Sequence, residues 1–385
     1  MRPAARLQAA IEILDLVIDS AQAQGAAADT LVQRYFAARR YAGSKDRAAV
    51  RDLAYAAIRF TADRPPSGRA AMLGLAETTR PDLLPLFDGS PHAPQPPLPT
   101  EPRARPGTIP GWLEPALRAR FGDALQAEAE ALAARATLDL RVAPGADPAA
   151  IAAELGAEPI PGLPHALRLA TPVPLDRHPL LLSGAIEVQD AGSQHVAAFA
   201  AARPGETVID LCAGAGGKTL ALAADMHRDG RLIATDTDRA RLQAMAPRLA
   251  RTSLEGFVET RLLNPGREAE SLADLEGAAD LVLVDAPCSG TGTWRRNPEL
   301  RWRLTPDRLQ KLVAVQARLI DLGASRVKPG GRLVYAVCSV LAEEGADQAA
   351  AAAARTGLRL GETRALTPLA DGCDGFFVAR LEKPC

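Results

Sequence analysis

Two cysteines stand out by their positions. Cys288 follows Asp285-Ala286-Pro287, and Cys338 follows Tyr335-Ala336-Val337. Each comes at the end of a short apolar run that reads as a buried β-strand. A thiol is a strong nucleophile once ionised, and basic side chains or helix N-termini beside it lower its pKa from ~8.5. Such a thiolate can add to carbon 6 of a pyrimidine, after which carbon 5 is electron-rich enough to take a methyl group from a sulfonium. Asp285, at the tip of the first strand, is a third polar group at the same place. Residue chemistry alone leaves open which cysteine adds. Taken singly, either would be read as a small buried apolar residue. A metal site is disfavoured, because no histidine lies near either cysteine in sequence.

A second constellation precedes these. The run Cys212-Ala213-Gly214-Ala215-Gly216-Gly217-Lys218-Thr219 follows an apolar stretch ending at Asp210-Leu211. Glycines directly after a strand let a ligand approach the backbone, and the next helix presents its free amides there. Gly217-Lys218-Thr219 nearly completes a Walker A loop, but the required first glycine would fall at Cys212, so a nucleoside triphosphatase is disfavoured. Asp236, at the tip of the next strand, is placed to accept hydrogen bonds from ribose hydroxyls. A nicotinamide dinucleotide would need a third glycine where Thr219 stands. A methyl donor with a ribose fits better.

The elements that must position these residues follow a rhythm. Short strand-like runs at 207–211, 231–236, 258–263, 281–285, 332–338 and 376–381 are separated by helix-length stretches, which predicts a parallel, doubly wound α/β sheet with helices on both faces. Ligands of such sheets sit outside the carboxyl ends of the strands. Upstream, Leu7, Ile11, Leu14 and Ile18, then Leu31 and Tyr35, then Val50, Leu53 and Ile58 recur at helical spacing. Prolines crowd residues 91–110, which read as an extended linker. A helix near Trp112 and short apolar runs at 138–142 and 166–169 predict a small α+β connector. The expected division is 1–105 helical with the linker, 106–183 connector, and 184–385 the doubly wound domain.

The net charge of −1 excludes a uniformly basic surface, so nucleic-acid contact must come from local patches. Two qualify: residues 2–69, and residues 295–311 with Arg295, Arg296, Arg301, Arg303 and Arg308 placed to hold phosphates. Five cysteines without paired spacings point to a reducing, cytoplasmic compartment. No run is long enough for a membrane helix.

With these residues assembled, the chain resembles the RsmB/Sun branch of the Nop/Sun RNA cytosine-5 methyltransferases. The resemblance rests on Val188-Gln189-Asp190-Ala191-Gly192-Ser193-Gln194, the 212–219 loop, residues 285–292, Arg295-Arg296-Asn297-Pro298-Glu299, residues 335–339, and Asp374-Gly375-Phe376-Phe377. It implies a Rossmann-like domain dependent on S-adenosylmethionine, preceded by an all-α NusB-like RNA-binding domain and the connector. It implies Cys338 as nucleophile and Cys288 as the residue assisting release. By the same resemblance Asp285 contacts the donor or the cytosine edge, Lys218 lies beside cofactor and active site, and 189–194 pack against the cofactor pocket. Donor contacts fall to Cys212, Ala213, Gly214, Ala215, Gly216, Gly217, Lys218, Asp236 and Asp285. They include Asn264, which stands where the family carries an aspartate. Two further departures are Val337 for a threonine and Ala143 for an asparagine. The implied partner is small-subunit (16S) ribosomal RNA, met at an unpaired or flipped base. Neither membrane nor metal is expected, and the chain is expected to act as a monomer. The alternatives are a transfer RNA methyltransferase and a non-catalytic ribosome assembly factor.

Overall fold

A computed structural model describes residues 1–171 and 173–385. The chain divides into two compact units, residues 1–134 with 293–306, and residues 135–292 with 307–385.

The first unit is helical. Helix α1 (Pro3–Ala23) opens with proline at its first position and buries Leu7, Ile11, Leu14 and Ile18 along one stripe. Helices α2 (Ala28–Ala37), α3 (Ser44–Phe60) and α4 (Gly68–Thr78) pack with it, and the Ser67 hydroxyl caps α4 by accepting from Ala70 N. Helices α5 (Glu114–Phe121) and α6 (Leu125–Ala133) follow. The chain returns to this unit at 293–306, where Trp302 enters the helical core.

The second unit holds two sheets. In the smaller, β1 (Leu138–Val142), β2 (Glu158–Pro159), β3 (Ala166–Leu169) and β4 (Ile186–Val188) lie in the order β2-β3-β1-β4, all antiparallel. The larger sheet comprises β5 (Thr207–Asp210), β6 (Arg231–Asp236), β7 (Val258–Leu262), β8 (Ala279–Asp285), β9 (Val327–Val337), β10 (Arg359–Leu366) and β11 (Phe376–Glu382). Its order is β10-β11-β9-β8-β5-β6-β7. Successive residues alternate between two cores: Leu281 and Leu283 enter one, Val282 and Val284 the other. Both faces are therefore covered, as the continuous apolar runs require. Helices α7 (Ala191–Ala200), α8 (Gly217–Asp225), α9 (Arg239–Arg251), α10 (Pro306–Arg326) and α11 (Ala346–Thr356) accompany it. No described helix is long and apolar enough to cross a membrane.

Three expectations change. The sheet is not wholly parallel: β11 runs antiparallel to both β9 and β10, because residues 367–375 are too few for a crossover connection. The stretch 91–110 is not a free linker. Ala104 N donates to Ala70 O, Gly107 N donates to Phe60 O, each at 2.9 Å, and Arg69 pairs with Glu101 at 2.6 Å. It is stitched to the helical unit, which runs on through α6 to residue 134, past the boundary expected at 105. Residues 135–183 fall in one compact unit with the large sheet, so no boundary appears at 183.

Candidate active site

The strand order reverses between β5 and β8, which leaves a crevice outside their carboxyl ends. The loop after β5 and the start of α8 form one wall. Gly214 takes φ +55°, and a Cβ built there meets no atom within 4 Å, so this backbone is an open cradle. Asp236, at the end of β6, accepts from Gly214 N through Oδ2 (2.9 Å) and from Asp238 N through Oδ1 (2.8 Å). Each oxygen keeps a lone pair for a ribose hydroxyl. Asn264 follows β7 with its side chain exposed, beside Asp236, whose carbonyl accepts from Leu263 N. The Gln189 amide donates to Gly217 O at 3.1 Å, placing the 189–194 segment against the glycine loop. These residues fit S-adenosylmethionine: a carboxylate with lone pairs left for ribose hydroxyls, an open glycine backbone, and an exposed amide at Asn264 beside them.

Lys218 crosses the crevice. Its Nζ lies 2.6 Å from Asp285 Oδ2 and 5.5 Å from the centre of the Phe376 ring. Burial works against its charge, but the Asp285 carboxylate outweighs burial and holds the ammonium above its ordinary range. Beneath it, Thr219 donates to Asp210 Oδ2 at 2.7 Å. Burial, despite that bond, pushes the Asp210 carboxyl up from 3.8 to about 7.

The two thiols meet at the ends of β8 and β9, with Sγ atoms 3.3 Å apart. The hydrogen bond with Cys338, then burial, then the charges of Cys338 and Glu344 push the Cys288 thiol well up. The raised thiol keeps Cys288 protonated, and either sulfur can donate in the contact. Lys218 couples electrostatically to Cys338. The loop after β8 is held by backbone: Gly292 N donates to Cys338 O at 3.1 Å, and Gly375 N donates to Gly292 O at 2.8 Å. A Cβ on Gly292 would lie 1.9 Å from Gly375 O, so no other residue fits there. Below the thiols, fully buried Glu344 accepts from Ser289 N (2.8 Å), Gln316 Nε2 (2.9 Å), the Ser339 hydroxyl (2.5 Å) and the Ser289 hydroxyl.

The structure thus gathers Cys288, Cys338, Asp285, Lys218 and the 212–217 loop at one sheet edge, with Asp236 and Asn264 beside them. Cys212 is present in the loop, but burial raises its thiol well above the ordinary range, so it stays neutral there. The arginine patch is sorted differently from its reading as a phosphate clamp. Arg301 and Arg303 are buried and donate to main-chain carbonyls, Arg301 to Pro298, Thr108 and Ile58, and Arg303 to Gly25 and Ala26. Arg295 is buried as well. The Glu299 carboxylate accepts from Ala28 N at the start of α2, so this motif secures the helical unit. Sequence reading missed Glu344, Gln316 and Asp210. Lone polar residues in apolar surroundings carry no spacing signal, although an acid shortly after Cys338 was visible. A separate cavity of about 710 Å³, lined by Arg141, Glu187, His227, Arg228 and Arg251 among others, holds neither thiol. Among the described residues no cluster of three or more His, Cys, Asp or Glu is placed to hold a metal.

A family model described as 16S rRNA methyltransferase RsmB/F matches residues 197–382. The ribosomal RNA small subunit methyltransferase B of Salmonella arizonae is 38% identical over 233 residues, 58% of this chain and 53% of that protein. The chain spans about half the length of the curated relatives it matches. In fold, it matches the crystal structure of PH0851 over 100% of this chain and 99% of that one, with a TM-score of 0.76 at 22% identity. It also matches a methyltransferase homolog protein from Pyrococcus horikoshii, 26% identical, over 71% of this chain and 94% of that one, with a TM-score of 0.62. The residues matched by the family model carry the glycine cradle, Asp236 and the paired thiols, and over residues 197–382 the chain is similar to the RsmB/F methyltransferases.

Proposed function

We propose that the protein methylates carbon 5 of a cytosine in RNA, with small-subunit ribosomal RNA as substrate and Cys338 as nucleophile. The observation that carries this reading is the 3.3 Å approach of Cys288 and Cys338 beside the Lys218–Asp285 pair. The raised Cys288 thiol keeps its S–H beside Cys338, and Lys218 adds positive charge to the same site. The name of the curated relative and the description of the family model support a 16S rRNA substrate. The all-helical first unit fits a NusB-like RNA-binding domain.

The Cys338 thiolate forms a bond to C6 of the cytosine, and the C5=C6 electron pair moves onto C5. Asp285, at the tip of β8 and paired with Lys218, accepts from the exocyclic amine of the base and fixes its ring. The 212–217 backbone, Asp236 and Asn264 would hold S-adenosylmethionine, which would supply its methyl group to the C5 electron pair while the donor sulfur kept the pair of the broken S–CH3 bond. Loss of the C5 proton to solvent returns its electron pair to the C5=C6 bond. As that bond re-forms, the S–C6 pair leaves with Cys338, and the Cys288 S–H stabilises the departing thiolate. The target base must lie outside any duplex to reach these thiols.

The test is transfer of labelled methyl from S-adenosylmethionine to unmethylated small-subunit ribosomal RNA and to transfer RNA, followed by nucleoside analysis. Label in 5-methylcytosine of the ribosomal RNA is expected. Label in transfer RNA alone overturns the substrate, and label in neither RNA favours a non-catalytic assembly factor.

A further inference from the structure

We propose that Glu344 is a positioning residue that sets the distance between Cys288 and Cys338. The β8–β9 ladder ends with Asp285 opposite Ala336, so a group beyond the ladder must bridge the two cysteine loops to set how near the thiols approach. Glu344 does so through the residues immediately after each. One carboxylate accepts the Ser289 amide at 2.8 Å together with the Ser289 hydroxyl, and the Ser339 hydroxyl at 2.5 Å. Gln316 of α10 supplies the fourth donor at 2.9 Å and is itself fixed to Pro287 O at 3.0 Å, directly before Cys288. Four donors fill the four acceptor positions of the carboxylate. The Glu344 carbonyl in turn accepts from the Tyr335 hydroxyl at 2.5 Å, three residues before Cys338, so the acid cannot drift from β9. Thr291 closes the frame, its hydroxyl 2.9 Å from Ser339 Oγ and accepting from Val340 N. A buried charge held by neutral donors on both cysteine loops is costly unless every bond is made, which gives the network one geometry rather than several.

The inference rests on the reading of Cys338 and Cys288 as the reacting pair, but its first readout does not use methyl transfer. Diamide takes two electrons and two protons from two adjacent thiols, which join as a disulfide while diamide becomes the hydrazine. The rate of the Cys288–Cys338 crosslink, followed by peptide mass spectrometry, reports their approach. Glu344→Ala is expected to slow this crosslink and kcat by roughly 10- to 100-fold while leaving KM for S-adenosylmethionine within about twofold. Glu344→Gln, which keeps the shape and one acceptor, is expected to recover crosslinking to within about threefold of the wild type. Leu319→Ala, a core truncation in α10, controls for lost stability and is expected to crosslink at the wild-type rate. Wild-type crosslinking in folded Glu344→Ala overturns the proposal, as does equal slowing in Leu319→Ala. If instead Cys338→Ala still methylates, the nucleophile assignment falls while the crosslinking rates still judge Glu344.

Discussion

Lys218 and Asp285 form a 2.6 Å ion pair across the crevice between β5 and β8, with the lysine side chain 10% exposed and the carboxylate 28%. The pair joins the donor loop to the strand that carries the first thiol. Removing the acid leaves a buried ammonium without a counter-charge, whereas removing the lysine leaves a carboxylate that water reaches. Asp285→Asn is therefore expected to destabilise the protein more than Lys218→Met, and the double variant is expected to regain part of the loss. A denaturant double-mutant cycle should give a coupling of about 1.5–3 kcal/mol. A coupling near zero would show that the two groups act independently.

The thiol pair gives an asymmetric prediction. Cys338→Ala is expected to lower turnover at least about a thousandfold and to form no RNA adduct that survives denaturing gels. Cys288→Ala keeps the nucleophile but loses the S–H that stabilises its departure, so adduct should accumulate. The reverse pattern would exchange the two roles.

Asp210 predicts a pH dependence of stability. Its carboxyl is raised by burial from 3.8 to about 7, and Oδ1 has no hydrogen-bond partner. Between about pH 4 and 7 the folded chain therefore binds more protons at this group than the unfolded chain. Stability contributed by the group falls as pH rises through that window and is level above it, with a slope of at most ~1.4 kcal/mol per pH unit. Asp210→Asn should flatten this slope relative to the wild type in urea denaturation from pH 4 to 8. Parallel pH profiles for the two proteins would refute the assignment.

The sequence was most legible where burial on both faces leaves no choice of residue. Strand β6 spans Arg231–Asp236 in the sequence reading and in the structure alike, because a doubly covered strand needs an apolar middle, here Leu232, Ile233 and Ala234. Strand β10 was missed: Gly361, Glu362, Thr363 and Arg364 lie on an exposed edge, where no pattern is imposed. The glycine loop, Asp236 and both cysteines were legible from their places after strands. Glu344 was not, since its partners Ser289 and Gln316 are distant in sequence and only the fold unites them. The crowded prolines of 91–110 read as an extended linker, yet Ala104 and Gly107 supply the amides that fasten the stretch.

The arginines of 295–303 show why a charge count does not locate a binding face, and they give the last prediction. Arg301 is 2% exposed and places its donors on four carbonyls, of Pro298, Thr108, Ile58 and Arg59. Burial, then the charge of Arg59, lowers its pKa to about 10, so it remains the cation that those carbonyls require. Arg301→Met keeps much of the packing volume but strands the carbonyls, at about 1–3 kcal/mol for each that stays dry. The expected result is a lower Tm with no change in how steeply RNA affinity falls with salt. A phosphate contact would behave oppositely, since each one lost reduces the log–log salt slope by about 0.7–0.9. Thermal unfolding and RNA titrations between low and high salt separate the two: a shallower slope with an unchanged Tm would return Arg301 to the RNA interface.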